Sequence, residues 1–135
     1  MSAAHILVID DDDDLRETIS RFLIRAGYEV SQAPNGENIQ SIMSERKVHL
    51  VLTDILMPVQ EGIATIMVVR KYFADTKVIA MSGGGQVSGG DVLRAARALG
   101  AHNAINKPFD FDELVEMISN ILNEAGVDAG QASYA

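Results

Sequence analysis

Five consecutive aspartates, Asp10 to Asp14, and a further aspartate at position 54 are the residues of this chain best suited to chemistry. Carboxylates gathered without a counterion repel one another and drift toward protonation. A hard divalent cation with oxygen ligands removes that conflict, and magnesium commonly takes one or two carboxylates together with phosphate and water. Ser82 and Lys107 add a hydroxyl and an ammonium. Such a set suits phosphoryl transfer, which asks a protein mainly for positioning and charge stabilisation. A carboxylate, already ionised near neutral pH, needs no base to act as the nucleophile.

Each of these residues also has an ordinary role. An aspartate run is often a solvated surface, and beyond two ligands the remaining aspartates suit the start of a helix, where negative charge is favourable. Asp54 alone reads as a turn residue, Ser82 as a small residue beside glycines, and Lys107-Pro108 as the stop of a strand. A calcium loop of EF-hand type is excluded, because counting from Asp10 puts Leu15 where glycine and Arg21 where glutamate are required. Gly83-Gly84-Gly85 lacks the Gly-Lys-Ser/Thr ending of a P-loop and the spacing of a dinucleotide fingerprint, so it reads as a mobile loop. His5, His49 and His102 fall at strand edges without ligand spacing and read as structural or exposed.

The elements that must position these groups alternate between β-rich runs and segments of helical period. His5–Ile9 is nearly continuous in apolar residues, as a strand buried on both faces should be, and His49–Thr53 and Lys77–Met81 read as the third and fourth strands. Tyr28–Ala33 and Asn103–Asn106 complete the strands. Helices are expected from about Leu15 to Ala26, through about Glu45, over Ile63–Phe73 (apolar nearly all round), over Val92–Leu99, and from Asp110 until Gly126 ends the last. Asp110 with Glu113 forms a capping-box pattern before the last of these. Five strand–helix units of this size predict a doubly wound parallel sheet with helices on both faces, a fold that binds ligands at the carboxyl ends of its strands. Asp10, Asp54, Ser82 and Lys107 all follow strand ends. Separate coincidences at successive strands are improbable.

Bulk properties narrow the function classes. A chain of 135 residues has room for one domain, with residues 126–135 expected to form a flexible tail after a domain over 1–125. The formal net charge of −8 argues against non-specific nucleic-acid binding. With no cysteine, disulfides and thiolate metal sites are excluded and a reducing cytoplasm is the natural setting. The first strand begins too early to leave space for a signal peptide, and no apolar stretch approaches the roughly 20 residues that span a bilayer. A soluble, cytoplasmic protein is expected.

The combination of Leu7-Val8-Ile9-Asp10-Asp11, Thr53-Asp54-Ile55-Leu56-Met57-Pro58 with Gly62, Met81-Ser82-Gly83 and Asn106-Lys107-Pro108-Phe109 resembles the receiver domain of bacterial two-component response regulators, over the chain to about Asn123. The resemblance implies a flavodoxin-like fold with sheet order 2-1-3-4-5. It implies Asp54 as acceptor of a phosphoryl group from a histidine kinase or phosphotransfer protein, and Mg2+ bound by Asp11, Asp54 and the Leu56 backbone carbonyl, with Asp10 acting mainly through water. Lys107 would pair with Asp54 and then with a phosphoryl oxygen, and Ser82 would move to hydrogen-bond that group. The output would be a switched protein-binding surface, on the fourth helix, fifth strand and fifth helix, rather than turnover of an external substrate. With nothing after the last helix suited to DNA binding or catalysis, a stand-alone receiver is expected.

The chain departs from the family pattern at Ala104, where many members carry an aromatic residue, and in the glycine-rich loop after Ser82, so loop mobility is expected to replace an aromatic rotamer. Leu56 and Gly84, at positions that influence phosphoryl lifetime in the family, offer no acid or base. Two other readings stand beside this one. Asp10-x-Asp12 superficially matches the first motif of haloacid-dehalogenase phosphatases, which would put the covalent phosphate on Asp10, although Asp14 stands where that motif wants Thr or Val. A receiver fold used only as a constitutive interaction module is the other.

Overall fold

The computed structural model describes residues 3–55, 59–83 and 89–126. The order is β1 (His5–Ile9), α1 (Asp13–Arg25), β2 (Glu29–Ala33), α2 (Ile39–Glu45), β3 (Leu50–Asp54), α3 (Val59–Tyr72), β4 (Lys77–Ser82), α4 (Gly89–Leu99), β5 (Asn103–Asn106) and α5 (Phe111–Glu124). The five strands form one parallel sheet in the order β2-β1-β3-β4-β5, the doubly wound architecture expected.

Alternation along the strands divides the core between two faces. Ile6 and Val8 of β1, with Leu50 and Leu52 of β3, pack against Ile19 and Leu23 of α1 and Leu114 and Ile118 of α5. Leu7 and Ile9, with Val51 and Val78, face the other way onto Met43 of α2, Ile66 and Val69 of α3 and Ala96 of α4. Because β1 and β3 are buried on both faces, their sequences are largely apolar, with His5, Thr53 and Asp54 as the buried polar residues at their ends.

Helix boundaries follow the polar residues beside them. Asp12 caps α1, its carboxylate accepting the Leu15 N–H at 3.0 Å, with Asp13 and Asp14 in the first turn. Asp110 caps α5 by accepting the Asp112 N–H at 2.9 Å. The third helix departs from expectation. It starts at Val59, so Gly62, taken as a boundary, lies inside it. A Cβ at Gly62 would sit 2.9 Å from the Ile55 Cα, so the glycine serves close approach of helix to strand end rather than helix termination.

The three histidines lie at the amino-terminal edge of the sheet and bond its free backbone groups. His49 Nδ1 accepts the His5 N–H at 2.9 Å, and His102 Nδ1 accepts the Val78 N–H at 3.1 Å. The buried His5 ring bridges the Lys47 carbonyl (3.1 Å, from Nδ1) and the Ser31 hydroxyl (2.8 Å, at Nε2). Burial lowers the pKa of all three; at His5 the bond to the Lys47 carbonyl opposes it and Arg46 reinforces it, Lys47 and His5 reinforce it at His49, and Lys77 and Arg70 reinforce it at His102, while Glu29 opposes it at His5 and His49. The folded state therefore prefers neutral rings, while the unfolded chain takes up protons near the ordinary histidine value of about 6.5. The stabilisation is present above that value and is lost as pH falls below it toward the depressed folded values. Chemical denaturation at pH 7.5 and 5.5 should show lower stability at the acid value. The slope should shrink in a His49→Asn/His102→Asn variant, whose amide oxygens can accept the same N–H groups without titrating. An unchanged slope in that variant would remove these rings as its cause.

Candidate functional site

The chain passes to one side of β1 through β2 and to the other through β3, so the carboxyl ends of β1 and β3 border the crevice where open α/β sheets bind ligands. Ile9 pairs with Thr53 in register, which brings the next residues, Asp10 and Asp54, side by side. Asp10 is fully buried, Asp54 is nearly so as the last residue of β3, and Asp11 is exposed. Oxygens of Asp10, Asp11 and Asp54 all lie within 4.8 Å of one another.

Lys107, directly after β5, reaches across the sheet end to both buried aspartates. Its Nζ donates to Asp10 Oδ2 at 2.8 Å and to Asp54 Oδ2 at 3.2 Å. Burial alone would lower the lysine pKa, but the Asp10 hydrogen bond and the charges of Asp54 and Asp10 outweigh it and hold the pKa above the ordinary value. The ammonium is thus charged throughout the neutral range. Ser82, buried as the last residue of β4, enters through its backbone: its carbonyl accepts the Lys107 N–H at 2.7 Å and so ties the lysine to the fourth strand.

These positions account for the acidic pair, Asp54, Ser82 and Lys107. Leu56, expected to offer its carbonyl, and the glycine loop at Gly84 and Gly85 lie outside the described residues, as does the tail from residue 127 onward. Ala104 is partly buried against the α2–α3–α4 side of the core. The Asp10 carboxylate is more committed to protein donors than expected, since its other oxygen accepts the Asp12 N–H at 2.9 Å while Lys107 holds Oδ2. Asp12, the second acid of the Asp10-x-Asp12 pattern, is exposed and caps α1.

Sequence reasoning missed Arg16. Its Nη1 donates to the Asp10 carbonyl at 2.7 Å and pairs with Asp13 at 2.8 Å, and its Nε donates to Gln32 on β2 at 3.1 Å. The guanidinium is a strut between the acidic loop and the sheet. A cation in the first turn of a helix opposes the helix dipole, and that mismatch was the available signal.

The donor set fits a divalent cation. Three carboxylates against one ammonium leave two negative charges in a small volume, the donors are hard oxygens, and exposed Asp11 leaves one side open to water. Alpha-helix α3 closes the site from below through Gly62, where an added Cβ would meet the Ile55 Cα at 2.9 Å, the Ile55 carbonyl at 3.2 Å and the Asp54 carbonyl at 3.3 Å. Gly62→Ala should cost about 1–3 kcal/mol in denaturant unfolding, as overpacking does. Any phosphoryl uptake by the site should fall roughly tenfold or more with it, because small misplacements of reacting groups are expensive. Wild-type uptake in that variant would show that the strand end tolerates the shift.

Comparison with known proteins agrees with this geometry. The family model for the response regulator receiver domain matches residues 6–119. The chain is 33% identical over 140 residues to the DNA-binding transcriptional regulator NtrC of Azospirillum brasilense, across 98% of this chain but 28% of that protein. It is 35% identical over 122 residues to the chemotaxis protein CheY of Bacillus subtilis, covering 90% of this chain and 99% of the relative. A CheY-like receiver domain protein from Methanospirillum hungatei superposes with a TM-score of 0.81 at 26% identity, over 93% of this chain and 98% of that one. Several relatives are longer proteins, of which this chain spans from about a quarter to about half the length. With its sheet order, its acidic strand ends and its cross-sheet lysine, the chain belongs to the response regulator receiver domain family of two-component systems.

Proposed function

We propose that the chain accepts a phosphoryl group on Asp54 from the phosphohistidine of a sensor kinase or phosphotransfer protein, and that the modification switches a surface for a downstream protein. The observation that carries this reading is the single ammonium of Lys107 placed between Asp10 and Asp54 at 2.8 and 3.2 Å. An Asp54 carboxylate oxygen attacks phosphorus, the bond from phosphorus to the donor imidazole breaks, and the imidazole leaves with the electron pair. Lys107 is placed to follow the charge from the carboxylate to a phosphoryl oxygen. Asp11 and Asp54 would hold Mg2+ directly and Asp10 through water, and the ion would offset the negative charge of the transferring group.

Phosphorylation adds negative charge and strong acceptor oxygens at the end of β3. Moving a two-state equilibrium from 1:99 to 99:1 takes about 5.5 kcal/mol, and charge-assisted hydrogen bonds contribute roughly 1.5–3 kcal/mol each. New bonds from Ser82 and Lys107 would therefore provide most of a switch. The chain performs this self-directed transfer and the later hydrolysis, with no turnover of an external substrate, in the cytoplasmic setting that the absence of cysteine favours. No helix among the described residues is long and apolar enough to cross a membrane.

Incubation with acetyl phosphate and Mg2+, followed by intact mass and peptide mapping, tests the reading. One phosphoryl group should appear, on Asp54, and chelation by EDTA should prevent it. Absence of any mass gain from both acetyl phosphate and phosphorylated kinases would favour the constitutive interaction module, and a phosphate on Asp10 would favour the phosphatase.

A further inference from the structure

Among the described residues the large hydrophobic side chains left exposed are Ile24, Met67 and Tyr72, and two of them lie on one helix. Alpha-helix α3 is apolar nearly all round, and among its described side chains the face carrying Ile66 and Val69 is the buried one. Met67, 58% exposed, and Tyr72, 56% exposed, line a cleft of about 600 Å3 between the ends of α3 and α4, floored in part by Val68 and Leu99. Its charged lining residues are Arg70 and Lys71, with no carboxylate among them. Two cations and no acid make this lining positive on a chain with 11 basic and 19 acidic residues. Another cleft, between α4 and α5, is lined by Glu113, Glu116 and Glu124 against Arg97 and His102, so carboxylates outnumber cations there.

We propose that the α3–α4 cleft is a docking site for an acidic amphipathic helix of a protein partner. Methionine, aromatic residues and arginine are the side chains enriched where proteins meet, and methionine adapts its shape to the apolar groups it receives. The Lys71 ammonium lies 5.1 Å from the centroid of the Tyr72 ring, so positive charge borders the apolar surface directly. Arg70 is braced by its Nη1 bond to the Ala74 carbonyl at 3.3 Å, and its stem lies where a Cβ at Gly100 would stand, 2.7 Å from Arg70 Cγ. The cleft therefore receives apolar side chains in its trough and carboxylates on its rim, the pattern of a helix laid in a groove. The cleft is shallow, and its two cations sit on a chain of formal net charge −8, which opposes approach to an extended anionic lipid surface and favours a single acidic helix. The site is remote from Asp54 in the fold, since helix carboxyl ends lie at the sheet end opposite the phosphorylation crevice, and it does not rest on the phosphoryl reading.

The test uses the full chain and a synthetic peptide with leucines at i, i+3, i+4 and i+7 and glutamates between, against a copy with lysine for glutamate. Amide shifts on titration with the acidic peptide should cluster at Met67, Tyr72 and Leu99, and binding should weaken with salt. Lys71→Glu should weaken it about tenfold and Tyr72→Ser by a similar factor, the first effect disappearing at high salt and the second persisting. Lys71 is exposed, so its variant should fold, and phosphoryl uptake in both variants should match wild type. Equal binding of the two peptides, or shifts elsewhere, would overturn the proposal. Phosphatidylserine vesicles binding this face when the acidic peptide does not, or self-association abolished by Lys71→Glu, would replace it with a membrane or a second copy.

Discussion

Asp54→Asn should abolish phosphoryl uptake from acetyl phosphate, leaving the intact mass unchanged under conditions that label the wild-type chain. The amide keeps the size of the carboxylate at a position that is nearly fully buried, so the strand end should stay packed. It cannot act as the nucleophile, and no neighbour is placed to replace it. Asp10 has both oxygens engaged, by Lys107 and by the Asp12 N–H. The exposed Asp11 carboxylate has no direct Lys107 bond of the kind seen at Asp10 and Asp54. The variant should also lose some carboxylate repulsion, so its unfolding stability should equal or exceed that of the wild type. Substantial labelling of the variant would move the acceptor elsewhere and end the assignment. A collapse of stability would instead show that Asp54 is needed for the fold.

Removing the lysine should have the opposite signature. Lys107→Met leaves Asp10 and Asp54, both buried, without the ammonium that bonds each of them. Breaking a buried ion pair from one side is expensive, and a loss of about 3 kcal/mol in metal-free buffer is expected, at the lower end because the lysine side chain is 18% exposed. Magnesium should restore more stability to the variant than it adds to the wild type, since the ion no longer shares the carboxylates with an ammonium. Phosphoryl uptake should fall roughly ten- to a hundredfold, the equivalent of one charge-assisted hydrogen bond lost in the transition state. Denaturant titrations with EDTA and with Mg2+ read the first two effects. Wild-type stability without metal, or the same gain from Mg2+ in both proteins, would show that the lysine does not balance these charges.

Much of this site was legible without coordinates because of how parallel sheets are built. Strands buried on both faces are largely apolar, so β1, β3 and β4 could be read as strands, with polar residues gathered at their ends. Asp10, Asp54 and Ser82 stand at those ends, whereas Lys107 follows the short β5, which begins and ends with asparagine, and was placed by the alternation of strands and helices. The boundaries moved slightly. Asp54 and Ser82 close their strands rather than follow them, because the ladder continues one residue further through the Asp54–Met81 and Ser82–Asn106 pairs. Gly62 misled because glycine marks close approach as well as chain breaks, and only the neighbour distinguishes the two.

What the amino-acid order determined by itself was local: which segments are strands, which helices an aspartate caps, and which reactive side chains stand at strand ends. Periodicity and capping act over a few residues, and that is the range at which they can be read. The tertiary structure decided which of those side chains meet, across separations of 53 and 97 residues for the two Lys107 contacts. It placed the ammonium nearer Asp10 than Asp54, recruited Arg16 as a strut, turned three histidines into acceptors and donors at the far sheet edge, and left Met67 and Tyr72 uncovered. Each of these depends on how helices settle against a twisted sheet, a balance of packing among distant residues that no short window of sequence contains.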